Sequence, residues 1–405
     1  MAETTVRTTR DLDEFRAALG SIGHYFGGWP DAEGAERFAR NLPLDRMHAA
    51  FDGEAVVGGA GVFPFTMTVP GGEVGCAGVT VVGVLPTHRR RGVLRSLMRA
   101  QLDDVHSRGE AIAALWASEE AIYGRYGYGL SSLAGEIELP RTYSALRDDG
   151  PPSGSISLVA AEEARERLPA IYERVRVQTP GMYVRTADWW EIRQTSDPPE
   201  RRQGGGQKNY AVLELDGRDA AYAMYRLRSS FEAGASTGSV EVSEAMGDSP
   251  EGTREIWRFL LGMDWMATVK AWLLPVDHPL FHLLVYPRRM QLRIGDALWV
   301  RLVNVESALA GRSYTGDGSV TLELADDFCP WNAGVWTVST SGIERGGGKP
   351  DLRLDVQALA SVYLGGFTFA ELQRALRVEE LRPGALARAD ALFATAIRPW
   401  CPEIF

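Results

Sequence analysis

Residues suited to binding an anion concentrate in one arginine-rich stretch, "VTVVGVLPTHRRRGVLRSLM". An apolar, extended run ends at Pro86, and Arg89, Arg90, Arg91 and Gly92 then lead into a segment with helical spacing. The first turn of a helix leaves backbone N–H groups unpaired, and glycine lets a backbone approach an anion closely. Arginine side chains beside such amides favour a phosphate or pyrophosphate. A solvated basic helix start is the alternative, but the strand-to-helix context favours the anion site.

This stretch differs from the phosphate-binding patterns GxxxxGK[ST] and GxGxxG. It resembles the R-x-x-G-x-G/A loop of the GCN5-related N-acetyltransferases (GNATs), with Leu94 in the last position. In that family a bulge splays the preceding strand, whose amides hold the pantetheine arm of the cofactor. The resemblance implies this role for the amides of Val82 and Val84, and Gly83 suits the bulge. It further implies that the pyrophosphate is bound by Arg89, Arg90, Arg91, Gly92, Val93 and Leu94.

A second stretch, "AIYGRYGYGL", places three tyrosines and three glycines after an apolar run. Taken alone, it is typical of a turn whose aromatic rings face the core. Five segments change that interpretation: "PTHRRRGVLRSLM", "ASEEAIYGRYGYG", "AIYERVRVQTPG", "DALWVRLVNVESAL" and "SVYLGG". Their order and spacing resemble the Eis (enhanced intracellular survival) family of acetyltransferases over almost the whole chain.

The resemblance implies an α/β fold of mixed sheets, with two tandem GNAT-type domains followed by a sterol-carrier-protein-like domain. We predict an N-terminal GNAT domain with the acetyl-CoA site at 1–140, a degenerate GNAT domain at 141–294 and the third domain at 295–405. The family acetylates primary amines with acetyl-CoA, including several positions of aminoglycosides and lysine-type amines. Its members assemble as homohexamers.

The resemblance also implies roles for three residues. Tyr123 matches the family's general acid, and a phenol of pKa about 10 can protonate the departing thiolate while staying neutral at pH 7. Ser118 matches the serine beside the cofactor sulfur. The base is the C-terminal carboxylate of Phe405, although this residue also has a simple packing interpretation. The glycines around Tyr123 are expected to leave room for cofactor and acceptor, whereas Tyr126 and Tyr128 are expected to be structural.

Two departures from the family concern the acceptor. Ile404 replaces an acidic residue common in relatives, and Trp116 stands where a histidine can occur. A cationic polyamine or aminoglycoside needs a negatively charged pocket. The candidate carboxylates are Asp31, Glu33, Glu119, Glu120 and Glu403.

Composition limits the other classes. At 405 residues the chain is long enough for two or three domains, and its net charge of -10 argues against a nucleic-acid surface. Three separated cysteines without metal-ligand spacing, a polar start and six histidines without HExxH favour a reduced, cytoplasmic protein with no metal. The uncharged run from Ala55 to Gly72 predicts two antiparallel strands rather than a membrane span.

The apolar periodicity predicts the same order of elements twice: helices, antiparallel strands, helix and strand. The second cycle follows a Pro/Gly/Ser-rich connection at 141–155 and lacks an arginine-glycine turn, so we expect a scaffold there. A third unit from about Asp296 mixes strands and helices, with a loop from Gly342 to Asp351.

The sequence therefore predicts an acetyl-CoA-dependent N-acetyltransferase that transfers the acetyl group directly in a ternary complex. Two alternatives stay open: an acyltransferase of this fold that uses a longer acyl-CoA, and a non-catalytic lipid-binding or interaction protein with a GNAT core.

Overall fold

The computed structural model describes residues 4–147 and 150–405. Asp148 and Asp149, within the predicted connection, lie outside the described residues. The chain divides into two compact units. The first comprises the residues up to Ser132, Ala297–Pro399 and Ile404–Phe405, and the second comprises Leu133–Asp296 and Trp400–Glu403.

A seven-stranded mixed sheet forms the centre of the first unit. In spatial order its strands are Thr5–Thr8, Met47–Asp52, Ala55–Val69, Gly72–Val84, Ile112–Trp116, Leu298–Leu302 and Gly129–Leu130. Only Gly72–Val84 and Ile112–Trp116 run parallel; the other neighbouring pairs in this sheet are antiparallel. The prediction of two strands between Ala55 and Gly72 was wrong. The run forms one long strand, because its glycines occupy places where a helix and other side chains approach closely.

The part of the first unit before Ser132 contains the α-helices Leu12–Gly23, Ala32–Ala39, Val93–Ser107 and Glu120–Tyr123. The helix Val93–Ser107 buries Leu97, Met98, Leu102 and Val105, as its spacing predicts. Gly109 follows its end with φ +75°, a conformation that glycine adopts without strain.

A second, five-stranded sheet of the first unit contains, in spatial order, Gly342–Arg345, Gly334–Ser339, Ser319–Ala325, Leu352–Asp355 and Val378–Glu380. Its helices are Val305–Ala310, Val356–Tyr363, Phe369–Arg374 and Ala385–Phe393. The predicted loop at Gly342–Asp351 was partly wrong, because Gly342–Arg345 pairs with the preceding strand as a hairpin. The buried Arg312 donates to the carbonyls of Tyr363 and Phe393, and so places a cation at two helix C-termini.

The second unit contains a seven-stranded sheet. In spatial order its strands are Arg293–Asp296, Leu133–Pro140, Thr268–Pro275, Ser239–Gly247, Arg218–Arg228, Lys208–Leu215 and Ser155–Val159. A two-stranded ribbon of Phe231–Glu232 and Ala235–Ser236 accompanies it. Its helices are Ala161–Arg176, Ala187–Trp189, the π-helix Trp190–Gln194, Pro250–Leu261 and Leu280–Leu283. The strands Lys208–Leu215 and Arg218–Arg228 form a hairpin around Asp216 and Gly217.

Near each predicted domain boundary, one strand pairs in the sheet of a different predicted domain. The strand Leu133–Pro140, before the first boundary, pairs in the sheet of the second unit. The strand Leu298–Leu302, after the second boundary, pairs in the first sheet, between Ile112–Trp116 and Gly129–Leu130. The sequence ranges of the three domains stay a prediction.

Candidate active site

The strand Gly72–Val84 separates from its parallel neighbour halfway along its length. Pairing with Ile112–Trp116 ends at Gly78 and Ala114. On the other side, Gly59 pairs with Gly83 and Gly61 with Thr80, so that Val81 and Val82 together oppose one residue. Val81 has φ +47°, which is unusual for a β-branched residue. The bulge lies at these valines, and the two strands diverge beyond it.

The expected bulge at Gly83 was therefore wrong. Gly83 is regularly paired, and a Cβ there would lie 2.8 Å from the backbone N of Ile22. The glycine is required because the helix Leu12–Gly23 crosses the strand at this point.

The backbone of Val84 faces away from the antiparallel neighbour. Leu85 N–H donates to Val57 in that neighbour, and successive residues of a strand alternate in direction. The Val84 carbonyl accepts a hydrogen bond from the Tyr25 hydroxyl at 2.7 Å, which agrees with this orientation. The polar backbone edge of Val84 thus borders the gap between the diverging strands.

The helix Val93–Ser107 begins without a side-chain cap. Gly92 is its N-cap residue with φ +86°, and Arg90 before it has φ +61°. The first intrahelical bond is donated by Ser96 to Gly92, which leaves the preceding amides of the first turn without helical acceptors. A helix N-terminus with open amides and adjacent arginines is the arrangement that binds phosphate groups.

These features border one cavity of about 760 Å³. Its lining residues are Ile22, Tyr25, Phe26, Val82, Gly83, Val84, His88, Arg89, Arg90, Gly92, Val93, Leu94, Arg95, Ser118, Glu119, Ile122, Tyr123, Arg125 and Tyr126. Ten of the twelve predicted site residues are among them. Arg91 and Phe405, which the structure also describes, lie outside this lining.

Several lining residues were not predicted from the sequence. Tyr25 and Phe26 follow the first helix, and both side chains are largely exposed. Nothing in the sequence around them indicates a function. Arg95 and Arg125 had such a signal, because each lies close to a motif already singled out. Together with Arg89 and Arg90 they make the cavity suited to an anionic ligand.

Tyr123 is almost fully buried at the wall of this cavity. Burial, with smaller contributions from Tyr126 and Glu119, raises the pKa of Tyr123 to about 12. Its ring packs edge-to-face on Tyr128, with centroids 5.9 Å apart. Among the described residues, none forms a hydrogen bond with the Tyr123 hydroxyl. The structure thus holds a neutral phenol with a free donor at the cavity wall.

The glycines after Tyr123 do not make room for cofactor and acceptor. A Cβ on Gly124 would lie 2.8 Å from Nε2 of Gln357, and one on Gly127 would lie 2.8 Å from Cζ of Arg301. A Cβ on Gly129 would overlap the backbone carbonyl of Gln357. The expectation was wrong because these glycines accommodate protein groups that are distant in sequence.

The other two tyrosines of this stretch differ from each other. Tyr128 is completely buried, and its hydroxyl lacks a partner within the described part of the chain, as expected of a packing residue. Tyr126 packs edge-to-face on Phe328, with centroids 5.0 Å apart, but also lines the cavity.

Phe405 is buried, as the apolar last residue predicts. Its ring packs edge-to-face on Phe65 with centroids 5.0 Å apart, whereas the side chain of Ile404 is exposed. The role of its carboxylate as a base stays a prediction.

Of the five candidate carboxylates, Glu119 lines the cavity. Asp31 instead caps the helix Ala32–Ala39 by accepting from Gly34 N–H. Glu33 and Glu120 lie in the first turns of their own helices.

Glu403 has a structural role within the second unit, and its role as a substrate carboxylate stays a prediction. It accepts hydrogen bonds of 2.6–2.8 Å from the Tyr183 hydroxyl, Trp189 Nε1 and Gln194 Nε2. Arg185 lies 3.2 Å away as an ion-pair partner. These donors hold the carboxylate in place, so Glu403 stabilises this part of the fold.

The second unit repeats the divergence of strands but fills it. Parallel pairing between Ser239–Gly247 and Thr268–Pro275 ends at Val242 and Ala271, and Ser243 forms a bulge next to this point. Trp400 and Pro402 occupy the resulting gap, which leaves a cavity of about 10 Å³. Trp400 Nε1 donates to the carbonyl of Leu273 at 2.6 Å.

The helix after this strand also lacks open amides of the kind found in the first unit. Ser249 Oγ accepts from Gly252 N–H, and Pro250 at the first helical position has no N–H to offer. The start of this helix therefore differs from the uncapped start in the first unit.

None of the helices in the described ranges has the length and apolar character needed to cross a membrane. Within 4–147 and 150–405, His, Cys, Asp and Glu side chains form no group of three suited to holding a metal ion.

Comparison with known families agrees with this architecture. Residues 6–131 and 181–302 match two models of the acetyltransferase (GNAT) domain, and residues 305–402 match the sterol carrier protein domain. The fold and the site define an acetyltransferase of the GNAT class, whose co-substrate is an acyl-CoA.

Full-length relatives define the family more narrowly. An uncharacterized N-acetyltransferase of Streptomyces avermitilis is 38% identical over 99% of this chain and 100% of its own length. N-acetyltransferase Eis of Mycobacterium tuberculosis is 33% identical over 95% of this chain and 94% of its own. The crystal structure of Eis1 from Mycobacterium abscessus superposes with a TM-score of 0.87 at 34% identity and covers 99% of this chain and 100% of that one. The chain belongs to the Eis family of N-acetyltransferases.

Proposed function

We propose that the protein transfers the acetyl group of acetyl-CoA to primary amines of cationic substrates. The proposed acceptors are aminoglycosides, at more than one position, and lysine side chains. The observation that carries this proposal is one cavity that combines the diverging strand, the uncapped helix and the buried Tyr123 hydroxyl.

Two groups of residues in the cavity have different proposed functions: one binds the cofactor, and the other lies at the reacting thioester. The backbone edges of Val82 and Val84 hold the pantetheine arm, and the first turn of the helix with Arg89 and Arg90 holds the pyrophosphate. Ser118 and Tyr123 lie at the end where the thioester is placed.

The reaction needs no covalent enzyme intermediate. The amine nitrogen attacks the thioester carbonyl carbon, the C–S bond breaks, and the amine proton passes toward the Phe405 carboxylate. Tyr123 donates a hydrogen bond, and then its proton, to the departing sulfur; solvent exchange restores both groups. The CoA thiolate, whose conjugate acid has a pKa of about 8.5, is a weaker base than a phenolate whose conjugate acid has a pKa of about 12, so full proton transfer from Tyr123 is uphill. Hydrogen bonding to the sulfur is therefore the larger part of the role of Tyr123.

The acceptor is proposed to be cationic because Glu119 lies at the cavity wall near Tyr123. It is the one carboxylate among the described lining residues, so the acceptor amine has one charged contact there.

A panel assay tests this function. Release of CoA thiol is measured with acetyl-CoA or a long-chain acyl-CoA, each against aminoglycosides, lysine peptides and a simple monoamine that carries no further positive charge. We expect turnover with acetyl-CoA and the polycationic amines or lysine peptides. Preference for the long-chain donor, or equal use of the simple monoamine, would contradict the proposal.

Assembly as a homohexamer and a cytoplasmic location belong to the same proposal. Light scattering of the purified full-length chain tests the assembly; a monomeric mass would contradict it.

A further inference from the structure

The segment that carries Tyr123 contacts a helix far along the chain. Gly124, the residue directly after Tyr123, has φ -55° and ψ -36°, a backbone conformation that every L-residue adopts readily. Conformation therefore does not require glycine there. A Cβ at this position would lie 2.8 Å from Nε2 of Gln357, so either the amide end of that side chain or the Tyr123 segment would have to shift.

Gln357 is held in this orientation from its other end. Its Oε1 accepts from Arg377 Nη2 at 2.8 Å, and the same nitrogen donates to Asp355 at 2.8 Å. Asp355 in turn caps the helix Val356–Tyr363 by accepting from Ala358 N–H at 2.8 Å. The amide nitrogen of Gln357 is thus directed at Gly124 by a chain of three side chains.

The next two glycines also lie against groups that are distant in sequence. Gly127, with φ +85°, turns the segment above the buried guanidinium of Arg301, which pairs with both carboxylate oxygens of Asp326 at 2.6 and 2.8 Å. Gly129 lies against the backbone of Gln357. Ser131 Oγ donates to the carbonyl of Ala360, in the same helix, at 2.8 Å.

We propose that Gln357 is a positioning residue: through Gly124, it sets the direction of the Tyr123 hydroxyl in the cavity. This inference rests on the proposed role of Tyr123 in acetyl transfer. Gln357 does not line the cavity, so it acts on the reaction through the Tyr123 segment. A displacement of about 1 Å in a reacting group costs on the order of 100-fold in rate.

The test is a cycle of substitutions at the contact. Gly124→Ala places a methyl group against Gln357 without straining the backbone, and Gln357→Ala removes the obstructing amide. For Gly124→Ala we expect kcat to fall roughly 10- to 100-fold with the dissociation constant of acetyl-CoA unchanged. In the double variant we expect kcat to recover to within about threefold of Gln357→Ala alone.

Gly348→Ala is the matched control, because a Cβ there would meet no atom within 4 Å and its φ is not positive. It should keep wild-type kcat. Calorimetry with acetyl-CoA and thermal unfolding show whether each variant is folded. If Gly124→Ala does not fold, Gln357→Ala alone decides: a several-fold lower kcat at unchanged acetyl-CoA affinity supports the proposal, and a wild-type kcat overturns it.

The cycle separates this inference from the proposed function. Tyr123→Phe with wild-type kcat would overturn the role of Tyr123, and with it the positioning role of Gln357. If Tyr123→Phe is impaired while Gly124→Ala keeps wild-type kcat, or while the double variant stays as slow as Gly124→Ala, the positioning role alone is overturned.

Discussion

Tyr123 is the residue on which the proposed chemistry depends most. Tyr123→Phe keeps the ring that packs on Tyr128 and removes the free hydroxyl donor. We expect kcat to fall about 100-fold or more, with little change in the dissociation constant of acetyl-CoA measured by calorimetry.

Tyr128→Phe is the control for this substitution. Its hydroxyl is buried without a partner among the described residues, so its removal should leave kcat unchanged. It should raise the free energy of unfolding, or leave it the same, since no hydrogen bond is lost. Equal losses of kcat in the two variants would contradict the assignment of Tyr123.

The pKa of Tyr123 also predicts the pH dependence of the reaction. Because burial raises this pKa to about 12, the phenol keeps its proton and remains a donor across the working range. We expect kcat/KM to rise with pH as the acceptor amine loses its proton, and to show no fall up to about pH 10.5. A wild-type profile that falls with a pKa of about 10, while that of Tyr123→Phe does not, would contradict this.

At the scale of elements, the two GNAT repeats differ at the same two points, the diverging strands and the helix start. The first unit has an open gap and an uncapped helix. In the second, Trp400 and Pro402 fill the gap, and Ser249 and Pro250 close the helix start.

Calorimetry with acetyl-CoA should therefore give one site per chain. Ser249→Ala should lower the free energy of unfolding by about 1 kcal/mol through loss of the cap, without adding a second site. A stoichiometry of two in the wild-type protein would show that the second repeat also binds the cofactor.

The segment Trp400–Glu403 is an element of the second unit in its own right, and Glu403 anchors it. Because the Glu403 side chain is only 14% exposed and accepts from three neutral donors, Glu403→Ala removes an acceptor that these donors share, whereas Arg185 keeps its ion pair with Glu244 at 2.6 Å. We expect a loss of about 1 to 3 kcal/mol in the free energy of unfolding, measured by urea denaturation. Glu379→Ala, at an exposed ion pair with Arg353, is the control and should not differ measurably from wild type. Equal stability of the two variants would contradict the anchoring role.

Local patterns explain which parts of the fold were predictable. Apolar spacing marked the helix Val93–Ser107, and the strand-to-turn-to-helix order marked the residues that meet at the cavity. The roles of Gly83 and Gly124 were not predictable, because each is set by a backbone or side chain distant in sequence. The hydrogen bonding of Glu403 was not predictable for the same reason: its donors lie some two hundred residues earlier in the chain.

At the scale of the whole molecule, net charge and local charge point in opposite directions. The chain carries a formal charge of -10, yet Arg89, Arg90, Arg95 and Arg125 border the cavity. An acidic molecule raises the local concentration of cationic acceptors, while a basic cavity retains the anionic acyl-CoA. The two substrates of the proposed reaction carry opposite charges. The net charge of the whole molecule favours the cationic acceptor, and the arginines of the cavity favour the anionic acyl-CoA. Binding of acetyl-CoA should weaken as ionic strength rises, because the proposed phosphate site lies among arginines of this cavity.

The end of the chain provides the last test. Phe405 has a buried ring, so residues added after it displace the terminal carboxylate or the ring from Phe65. An extension of four glycines should lower kcat at least about 10-fold, since the amine loses its proton acceptor, and should leave acetyl-CoA affinity unchanged. The same four glycines placed at the other end of the chain are the control. Phe405 lies outside the lining of the cavity, so we expect the loss of a base to lower kcat without changing the affinity for acetyl-CoA. A lower kcat at constant affinity supports the carboxylate as the base, whereas unchanged turnover in the extended chain would leave Phe405 with packing alone.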